Sequence, residues 1–326
     1  MEIEAKQNIK PVKSFDVDVS VIIINYNTFD LLKTATDGMF SFTKNLNLQL
    51  IVVDNASSET EREKLKEYYK DFDLILSDEN LGTSKAFNKA LNRAKGKYVL
   101  WLNPDVVFIE DFIGKLFSFM ETNPKCGVCC GNLICADKTP SESYRRTMLS
   151  YKTIKQGYSL TYSLFSKLFK KSLSEKYNFS GKPMEVGCVI GADMFVRREI
   201  FDVIGGFDED IFMYAEETEF QFRIKKFTEY EIYSVPDAKL IHLEGQSFSG
   251  KTFSERRHAL LLNGTSVFME KSYGKKQAVK YFDLVIKSYK KFIAVFWLFK
   301  GKRQVFKKKL EIAKDLRNKY LEKNGL

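Results

Sequence analysis

A strongly apolar predicted strand of this chain ends in an acidic residue. The run KYVLWL leads directly into Asn103, Pro104 and Asp105. In α/β folds, ligands bind at the edge where the carboxyl ends of the strands meet. A carboxylate on a loop at that edge offers the hard oxygen ligand that divalent cations prefer. The alternative is a turn that simply ends the strand, with Pro104 at its second position.

Polar residues also follow the other predicted strands of the first half of the chain. VSVIIINYN and LQLIVVDNASS are apolar, largely β-branched runs, and DLILS is a shorter one. Helical segments separate these runs, and this alternation predicts an α/β fold with a doubly wound, mostly parallel sheet. The residues that follow the strands are Asn25, Tyr26, Asn27, Asp54, Asn80 and Gly82.

In the second half of the chain, the regular alternation of predicted strands and helices changes. Residues 126–135 read as another strand, and residues 144–182 form a basic, aromatic insertion that we interpret as a lid or an acceptor wall. A later helix begins with Glu216, Glu217 and Glu219, which the positive end of the helix dipole would favour without any further role. A final strand reaches His242 in IHLEGQS.

Composition indicates a globular protein in a reducing compartment. The chain is 44% hydrophobic and 14% aromatic, and its first 18 residues lack an apolar segment, so we expect neither a signal peptide nor a leading membrane span. We therefore expect the protein to act on the cytoplasmic side. Four of the five cysteines lie in CGVCCGNLIC, where they are interpreted as small reduced core residues. Half of a zinc site is the alternative, but no second pair at zinc spacing follows.

The positive charge is concentrated at the carboxyl end. The net charge is +10, yet residues 275–326 contain sixteen Lys and Arg against four acids, so the rest of the chain is almost neutral. The segment KKFIAVFWLFKGKRQVFKKK combines aromatic residues with lysines, which predicts an interfacial helix on an anionic membrane surface. Its apolar run is too short to span a bilayer. The alternative is an amphipathic helix packed on the preceding domain.

The order of these motifs resembles the family 2 glycosyltransferases with the GT-A fold, in the branch that contains bacterial rhamnosyl- and galactofuranosyltransferases. The resemblance covers about residues 18–250. It implies an N-terminal extension (1–17), a GT-A catalytic domain (18–253) and a basic amphipathic helical tail (254–326). The catalytic domain would comprise a nucleotide-binding half, about 18–120, and an acceptor half, about 121–253.

The resemblance assigns Asp54 to the base of the donor nucleotide. Its carboxylate would accept the imide N–H of uracil or thymine, although DNASSE is also good turn chemistry. Asn25, Tyr26 and Asn27 would border the same nucleoside. Asn80, Gly82 and Asn88 complete the expected nucleotide-sugar contacts, through backbone N–H groups of the 80–82 loop near the phosphates. This chain has TSKAFNKA where similar proteins have small residues and paired asparagines.

The resemblance also implies a divalent metal, Mg2+ or Mn2+. Asn103-Pro104-Asp105 occupies the place of the family's Asp-x-Asp motif, so Asp105 is the expected ligand. Asn103, the neutral substitute for the first acid, would orient the ribose, the sugar or a metal-bound water. His242 falls where related enzymes place a histidine near the diphosphate or metal; otherwise it is a structural residue at a strand end.

By the same resemblance, Glu217 is the catalytic base and Glu216 supports it. The base is needed because an acceptor hydroxyl is a poor nucleophile until its proton is removed. A single carboxylate opposite the leaving group predicts inversion at the anomeric carbon. Glu stands here where the family carries Asp twice. Outside candidates are Arg197 and Arg198 for phosphate and Asp208 for the acceptor.

The sequence thus predicts an inverting, metal-dependent glycosyltransferase of cell-surface polysaccharide synthesis. A UDP- or dTDP-sugar, with rhamnose or a similar sugar favoured, would be transferred to a glycan or lipid-linked acceptor at the inner face of the plasma membrane. A sugar-phosphate nucleotidyltransferase would need a Gly-rich phosphate loop after the first strand, which INYNTFDLL lacks. A membrane-bound scaffold of the same fold without turnover and a nucleic-acid-binding protein are the alternatives; the near-neutral body argues against nucleic acid.

Overall fold

A computed structural model describes residues 16–159, 171–243 and 253–326. Residues 1–15 of the predicted N-terminal extension lie outside this set. So do residues 160–170 of the predicted insertion and residues 244–252, which include the Glu-Gly-Gln-Ser end of the last motif.

Strands and helices alternate in the first part of the chain, as the hydrophobic runs predict. The elements there are β1 (Val19–Asn25), α1 (Phe29–Phe42), β2 (Leu48–Asp54), α2 (Glu59–Tyr68), β3 (Asp73–Leu76), α3 (Gly82–Leu91), β4 (Tyr98–Leu102), β5 (Val106–Phe108), α4 (Phe112–Thr122) and β6 (Cys126–Ile134). β1 and β4 are buried almost throughout, which explains why their sequences show no polar alternation.

The second part begins with short elements and ends in long helices. They are β7 (Tyr144–Arg145), α5 (Tyr151–Gly157), α6 (Lys171–Ser174), β8 (Met184–Glu185), β9 (Cys188–Val189), β10 (Asp193–Arg197), α7 (Arg198–Ile204), α8 (Glu216–Phe227), β11 (Glu231–His242), α9 (Glu255–Tyr273), α10 (Lys275–Val295) and α11 (Lys300–Asn324).

One nine-stranded sheet organises the molecule. Its order is β3-β2-β1-β4-β10-β6-β11-β5, and β8 pairs with β11. The strands β3, β2, β1 and β4 are mutually parallel, which confirms the predicted α/β class and the mostly parallel sheet. β10 runs antiparallel to both β4 and β6, whereas β11 runs parallel to β6. β1, β2, β4 and β11 therefore all end at the same edge of the sheet, and β10 begins there.

Each face of this sheet carries its own hydrophobic core. One core contains Val21, Leu100 and the buried side of α1; the other contains Ile22, Trp101 and Phe87 of α3. The alternation of neighbours such as Val21 and Ile22 between the two cores is what a strand covered on both faces requires.

The structure agrees with the interpretation of the cysteines as small core residues. Cys126, Cys129, Cys130 and Cys188 are buried, Cys135 is partly buried, and all five thiols are free. Burial raises the pKa of Cys188 to about 11, so this thiol stays protonated. Among the described residues, no group of three or more His, Cys, Asp or Glu side chains is arranged to hold a metal ion.

The carboxyl-terminal segment is helical, as predicted, and its three helices pack on the rest of the protein. Phe268, Phe282 and Ala313 form a third core, which α5 joins through Ile154 and the start of α8 through Ala215. The packing of these helices agrees with the interpretation of the tail as amphipathic helices that pack on the preceding domain. None of the described helices combines the length and the hydrophobicity that crossing a bilayer requires.

Candidate active site

The candidate site begins with a pair of buried polar side chains at the ends of β1 and β2. Asn25 and Asp54 are neighbours in the strand register, and both are fully buried. The Asn25 amide donates to Asp54 (3.2 Å) and to the hydroxyl of Ser57 (3.2 Å). Asp54 also accepts the backbone N–H of Ser57 (3.2 Å) and lies 3.4 Å from the guanidinium of Arg62. This network holds the Asp54 carboxylate in place at the carboxyl end of β2.

The loop after β1 lies over this pair. Tyr26 is 45% exposed, and Asn27 has a left-handed backbone, with φ 54°. The Asn27 side chain accepts the backbone N–H of Ser58 (2.8 Å), and its own N–H donates to Ser57 (2.8 Å). The loop is thus tied to the end of β2, and the Tyr26 ring faces solvent beside the Asp54 network.

The loop that enters α3 is held by Asn55, which sequence reasoning missed. Asn55 is buried, donates to Asn80 (3.2 Å) and to the carbonyl of Gly82 (3.1 Å), and accepts the N–H of Leu81 (2.8 Å). The Gly82 N–H donates to Asn80 (3.0 Å), and that of Thr83 to the carbonyl of Phe212 (2.6 Å). The N–H groups of Leu81, Gly82 and Thr83 are thus engaged within the protein, and contact of the 80–82 loop with a phosphate stays a prediction.

Asn88 has a structural role that its sequence context does not predict. Its side chain accepts the N–H of Phe207 (2.9 Å) and donates to the Phe207 carbonyl (2.9 Å) and to Glu209 (3.0 Å). A Cβ at Gly206 would lie 2.3 Å from the Asn88 oxygen. Asn88 therefore anchors the 205–209 turn, and its contact with the nucleotide sugar stays a prediction.

The predicted metal residues lie together at the sheet edge. The Asp105 carboxylate is 3.3 Å from Nε2 of His242, and the Asn103 amide is 3.4 Å from the same nitrogen. The N–H of Leu243 donates to the Asp105 carbonyl (2.9 Å), which joins the end of β11 to the loop after β4. Asp105 and His242 are both buried. A carboxylate is a suitable ligand for Mg2+ or Mn2+, and an imidazole is a softer ligand that a transition metal such as Mn2+ accepts more readily than Mg2+ does.

A second buried acid, Asp193, lies close to this group. It begins β10 opposite Leu102 and accepts the N–H of Gly131 (2.8 Å) through one oxygen. Its other oxygen has no hydrogen-bond partner among the described residues. Burial raises the pKa of Asp193 to about 7, against smaller opposing effects of the Gly131 N–H and of His242. Sequence reasoning missed Asp193 because an acid inside an apolar strand gives no local signal of its surroundings.

The three acids at the start of α8 differ in their environments. Glu219 forms an ion pair with Arg223 (2.8 Å) and is structural. Glu216 is buried; burial, and then the charge of Glu217, raise its pKa well above the ordinary value. Glu217, the next residue, is partly exposed.

The start of α8, which carries Glu217, packs beside the small β7–β9 sheet. Arg145 of β7 pairs in register with Cys188 of β9; burial opposes the charged form of Arg145, whereas the nearby carboxylates of Glu217 and Glu142 raise its pKa. Gln221 in α8 donates to the Val189 carbonyl (2.9 Å) and accepts the Val189 N–H (2.8 Å). These contacts fix the first turns of α8 beside β9. Sequence reasoning missed Arg145, whose guanidinium lies near enough to Glu217 for that carboxylate to raise its pKa.

The three less favoured candidates, Arg197, Arg198 and Asp208, make structural contacts. Arg197 donates to the carbonyls of Cys126 (2.7 Å) and Met120 (2.6 Å), and Arg198 to that of Ala94. Both arginines lie at the opposite edge of the sheet, where β4 begins, so neither reaches the site. Asp208 forms an ion pair with Lys271 (3.2 Å).

A cavity of about 350 Å³ lies apart from the edge that holds Asp105. Its lining includes Asp208, Lys271, Glu219 and Arg223. These four charges are already paired, Glu219 with Arg223 and Asp208 with Lys271, which indicates a structural role for them.

Comparison with known proteins supports the interpretation drawn from this edge. The family model described as Glycosyl transferase family 2 matches residues 20–205. An uncharacterized glycosyltransferase of Methanocaldococcus jannaschii is 33% identical over 109 residues, which are 32% of this chain and 38% of the relative. The dTDP-rhamnosyl transferase RfbF of Shigella flexneri is 24% identical, and the match covers 70% of each chain.

The matches differ in how much of each protein they span. Three curated relatives are matched over only 38% to 54% of their own length. Among solved structures, the crystal structure of GalNAc-T7 with UDP, GalNAc and Mn2+ has a TM-score of 0.54 and 17% identity, with 78% of this chain and 48% of that chain covered. This likeness confirms the GT-A fold.

The new role of Asn88 can be tested through stability. Asn88→Ala leaves the Phe207 N–H and carbonyl without their partner, so we expect the free energy of unfolding to fall by about 1–3 kcal/mol. Thermal and urea melts measure this. The control is Asn92→Ala, at the exposed residue that caps the end of α3, which should change little. If Asn88→Ala weakens nucleotide-sugar binding at unchanged stability, the structural role is wrong.

Proposed function

The chain belongs to glycosyltransferase family 2, and from this premise we propose that it transfers a sugar from a UDP- or dTDP-sugar to a glycan or lipid-linked saccharide in cell-surface polysaccharide synthesis. The observation that carries the proposal is the meeting of Asp105, His242 and Asn103 at the sheet edge where β1 and β2 present Asn25 and Asp54. Nucleotides bind at such an edge in α/β folds.

The nucleoside would lie over the ends of β1 and β2. Asp54 is the proposed acceptor for the imide N–H of the base, and Asn25 holds its carboxylate in place. Tyr26 and Asn27 would form the side of this pocket, with Asn80 below the ribose or phosphates. The likeness to a dTDP-rhamnosyl transferase favours a deoxyhexose such as rhamnose as the sugar.

Asp105 and His242 would hold the divalent cation, Mg2+ or Mn2+. Such an ion neutralises the charge that develops on a nucleoside diphosphate as it leaves. The GalNAc-T7 structure contains UDP and Mn2+, which supports this choice of ion. Asn103, 3.4 Å from the His242 ring, would orient the ribose, the sugar or a water molecule.

Glu217 is the proposed general base. It would accept the proton of the acceptor hydroxyl as that oxygen attacks the anomeric carbon. Glu216 supports it: burial and the adjacent carboxylate favour the protonated form of Glu216, so the pair carries one negative charge rather than two. With one base and a leaving group on the other side of the sugar, transfer proceeds with inversion.

We also propose that the protein works at the inner face of the plasma membrane, bound peripherally through its tail. The turn between α10 and α11 exposes four large apolar side chains, namely Val295 (51% exposed), Trp297 (65%), Leu298 (70%) and Phe299 (58%). Exposed Lys290, Lys291, Lys300 and Lys302 flank this apolar tip. Aromatic residues beside lysines are typical of segments that bind anionic lipid.

The metal assignment predicts that Asp105→Ala loses most of its manganese affinity and its metal-dependent release of nucleoside diphosphate. Calorimetry with Mn2+ measures the first, and a melting-temperature panel of UDP- and dTDP-sugars with Mn2+ or Mg2+ measures donor binding, because a ligand of the native state raises that temperature. Asp315→Ala, an exposed acid of α11, is the control. Full activity of the Asp105 variant would remove the metal argument.

The base assignment predicts that Glu217→Gln keeps donor affinity within about twofold while transfer falls by about 10²–10⁴. Glutamine preserves shape but cannot take the proton. Calorimetry with the donor and a coupled assay for diphosphate release separate the two effects. Glu59→Gln, an exposed glutamate of α2, should behave as the wild type. An active Glu217→Gln enzyme would exclude this residue as the base.

The membrane proposal predicts that Trp297→Ser combined with Leu298→Ser weakens binding to phosphatidylglycerol vesicles by about tenfold or more, because two apolar side chains that would enter the lipid are lost. Co-sedimentation at two salt concentrations measures it. The control is Val203→Ser in α7, an apolar residue that is 66% exposed elsewhere. Equal binding by both variants would count against the tip.

A further inference from the structure

The backbone that leads into the acids of α8 is strained. Tyr214 and Ala215 have φ values of 68° and 75°, in the left-handed region that side chains with a Cβ disfavour. Ala215 is the N-cap of α8, and its carbonyl accepts the N–H of Glu219 (2.9 Å). Such backbone persists only where surrounding contacts hold it. The conformation of this turn sets the direction in which Glu216 and Glu217 leave the helix start.

The contact that holds the turn from outside comes from Gly264, in the middle of α9. A Cβ at this position would lie 2.0 Å from the carbonyl oxygen of Tyr214 and 2.8 Å from that of Met213. The turn is thus packed directly on the helix backbone. Glycine inside a helix is unfavourable, so its presence there calls for a packing reason. Gly301, in α11, has no atom within 4 Å of its Cβ position and lacks such a reason.

The same turn is held on its inner side by α3. The Phe212 carbonyl accepts the N–H of Thr83 (2.6 Å), and a Cβ at Gly82 would lie 2.3 Å from that carbonyl. Gly82 also has φ 74°, so both its backbone and its close neighbour require glycine. Gly82, which the sequence analysis predicts to lie near the nucleotide, therefore allows the close approach of the Phe212 carbonyl.

Further contacts join the carboxyl-terminal helices to the loop before α8. Lys271 of α9 bridges Asp208 (3.2 Å) and Asp210 (2.6 Å). The Arg257 guanidinium lies 5.9 Å from the centre of the Tyr214 ring, and Ala215 belongs to the core that Phe268 anchors. Residues 212–215 are consequently clamped between α3 and α9.

We propose that Gly264 is a positioning residue for transfer. Because Gly264 has no Cβ, the Tyr214 carbonyl packs directly against its Cα. This contact holds the left-handed turn, which orients Glu217 and Glu216 toward the site. The catalytic consequence rests on the proposed function, whereas the clamp itself does not. The carboxyl-terminal helices thereby belong to the machinery that orients the acids and are more than an anchor.

The test is Gly264→Ala in the full chain, with Gly301→Ala as the matched control. The added methyl displaces the Tyr214 carbonyl, so kcat should fall by about 10- to 100-fold, the effect of a misplacement of about 1 Å. The KM for the donor should change by less than about threefold, because the residues that bind the nucleotide lie on other elements. A variant that loses donor binding and kcat together, or loses neither, overturns the proposal.

A second readout does not depend on any enzymatic activity. Thr83 lies in the first turn of α3, where no helical carbonyl is available, so the protection of its N–H from hydrogen exchange reports the bond to Phe212. Gly264→Ala should speed exchange of this amide by about tenfold or more, and Gly301→Ala should not. Normal exchange in Gly264→Ala contradicts the clamp. Altered exchange in a protein that transfers no sugar contradicts only the proposed function.

Should Gly264→Ala fail to fold by circular dichroism, exchange of the wild-type protein in increasing urea replaces it. The Thr83 amide and the amides of α9 around Phe268 should lose protection in one cooperative step, because the turn depends on α9. Opening of Thr83 at clearly lower urea than α9 would overturn the proposal.

Discussion

The parallel pairing of β1 with β2 and β4 is the constraint on which the candidate site depends. In that register Asn25 lies beside Asp54, and Ile23 lies beside Leu102, the residue before Asn103. Neighbouring strands are about 4.8 Å apart, so residues that end different strands become neighbours in space. A slip of one residue would turn Asn25 and Asp54 to the wrong faces and break their hydrogen bond. The apolar runs that fix the register therefore also assemble the site.

Burial of acids at this edge creates an electrostatic problem that the protein solves in two ways. Asp193 and Glu216 lie in surroundings that raise their pKa, so protonation removes much of their charge. Asp54 and Asp105 instead have basic neighbours, Arg62 at 3.4 Å and His242 at 3.3 Å. An unpaired buried carboxylate is costly. A divalent cation beside Asp105 would thus stabilise the folded site as well as the leaving diphosphate.

Much of the architecture could be predicted from sequence because strand position and hydrophobic pattern are local signals. The apolar runs predict that β4 ends just before Asn103 and that β11 ends at His242, and the structure brings Asn103 and His242 together. The role of Asn88 could not be predicted from local sequence, because its partner Phe207 lies 119 positions further along the chain. Asn55 looked like ordinary turn chemistry, and only tertiary contacts distinguish it from its neighbours.

The carboxyl-terminal helices show why composition alone left two interpretations of the tail open. One side of α10 is buried against α9 and α11 through Tyr281, Phe282 and Val285, as an amphipathic packed helix requires. The apolar tip at Trp297 and Leu298 lies beyond this packed part and is exposed. The packed side and the exposed tip use different residues, so the same helices can hold the turn before α8 and still offer apolar side chains to a lipid surface. Removing whole helices would disturb both roles, because it uncovers the core around Phe268, whereas changes confined to the tip leave that core intact.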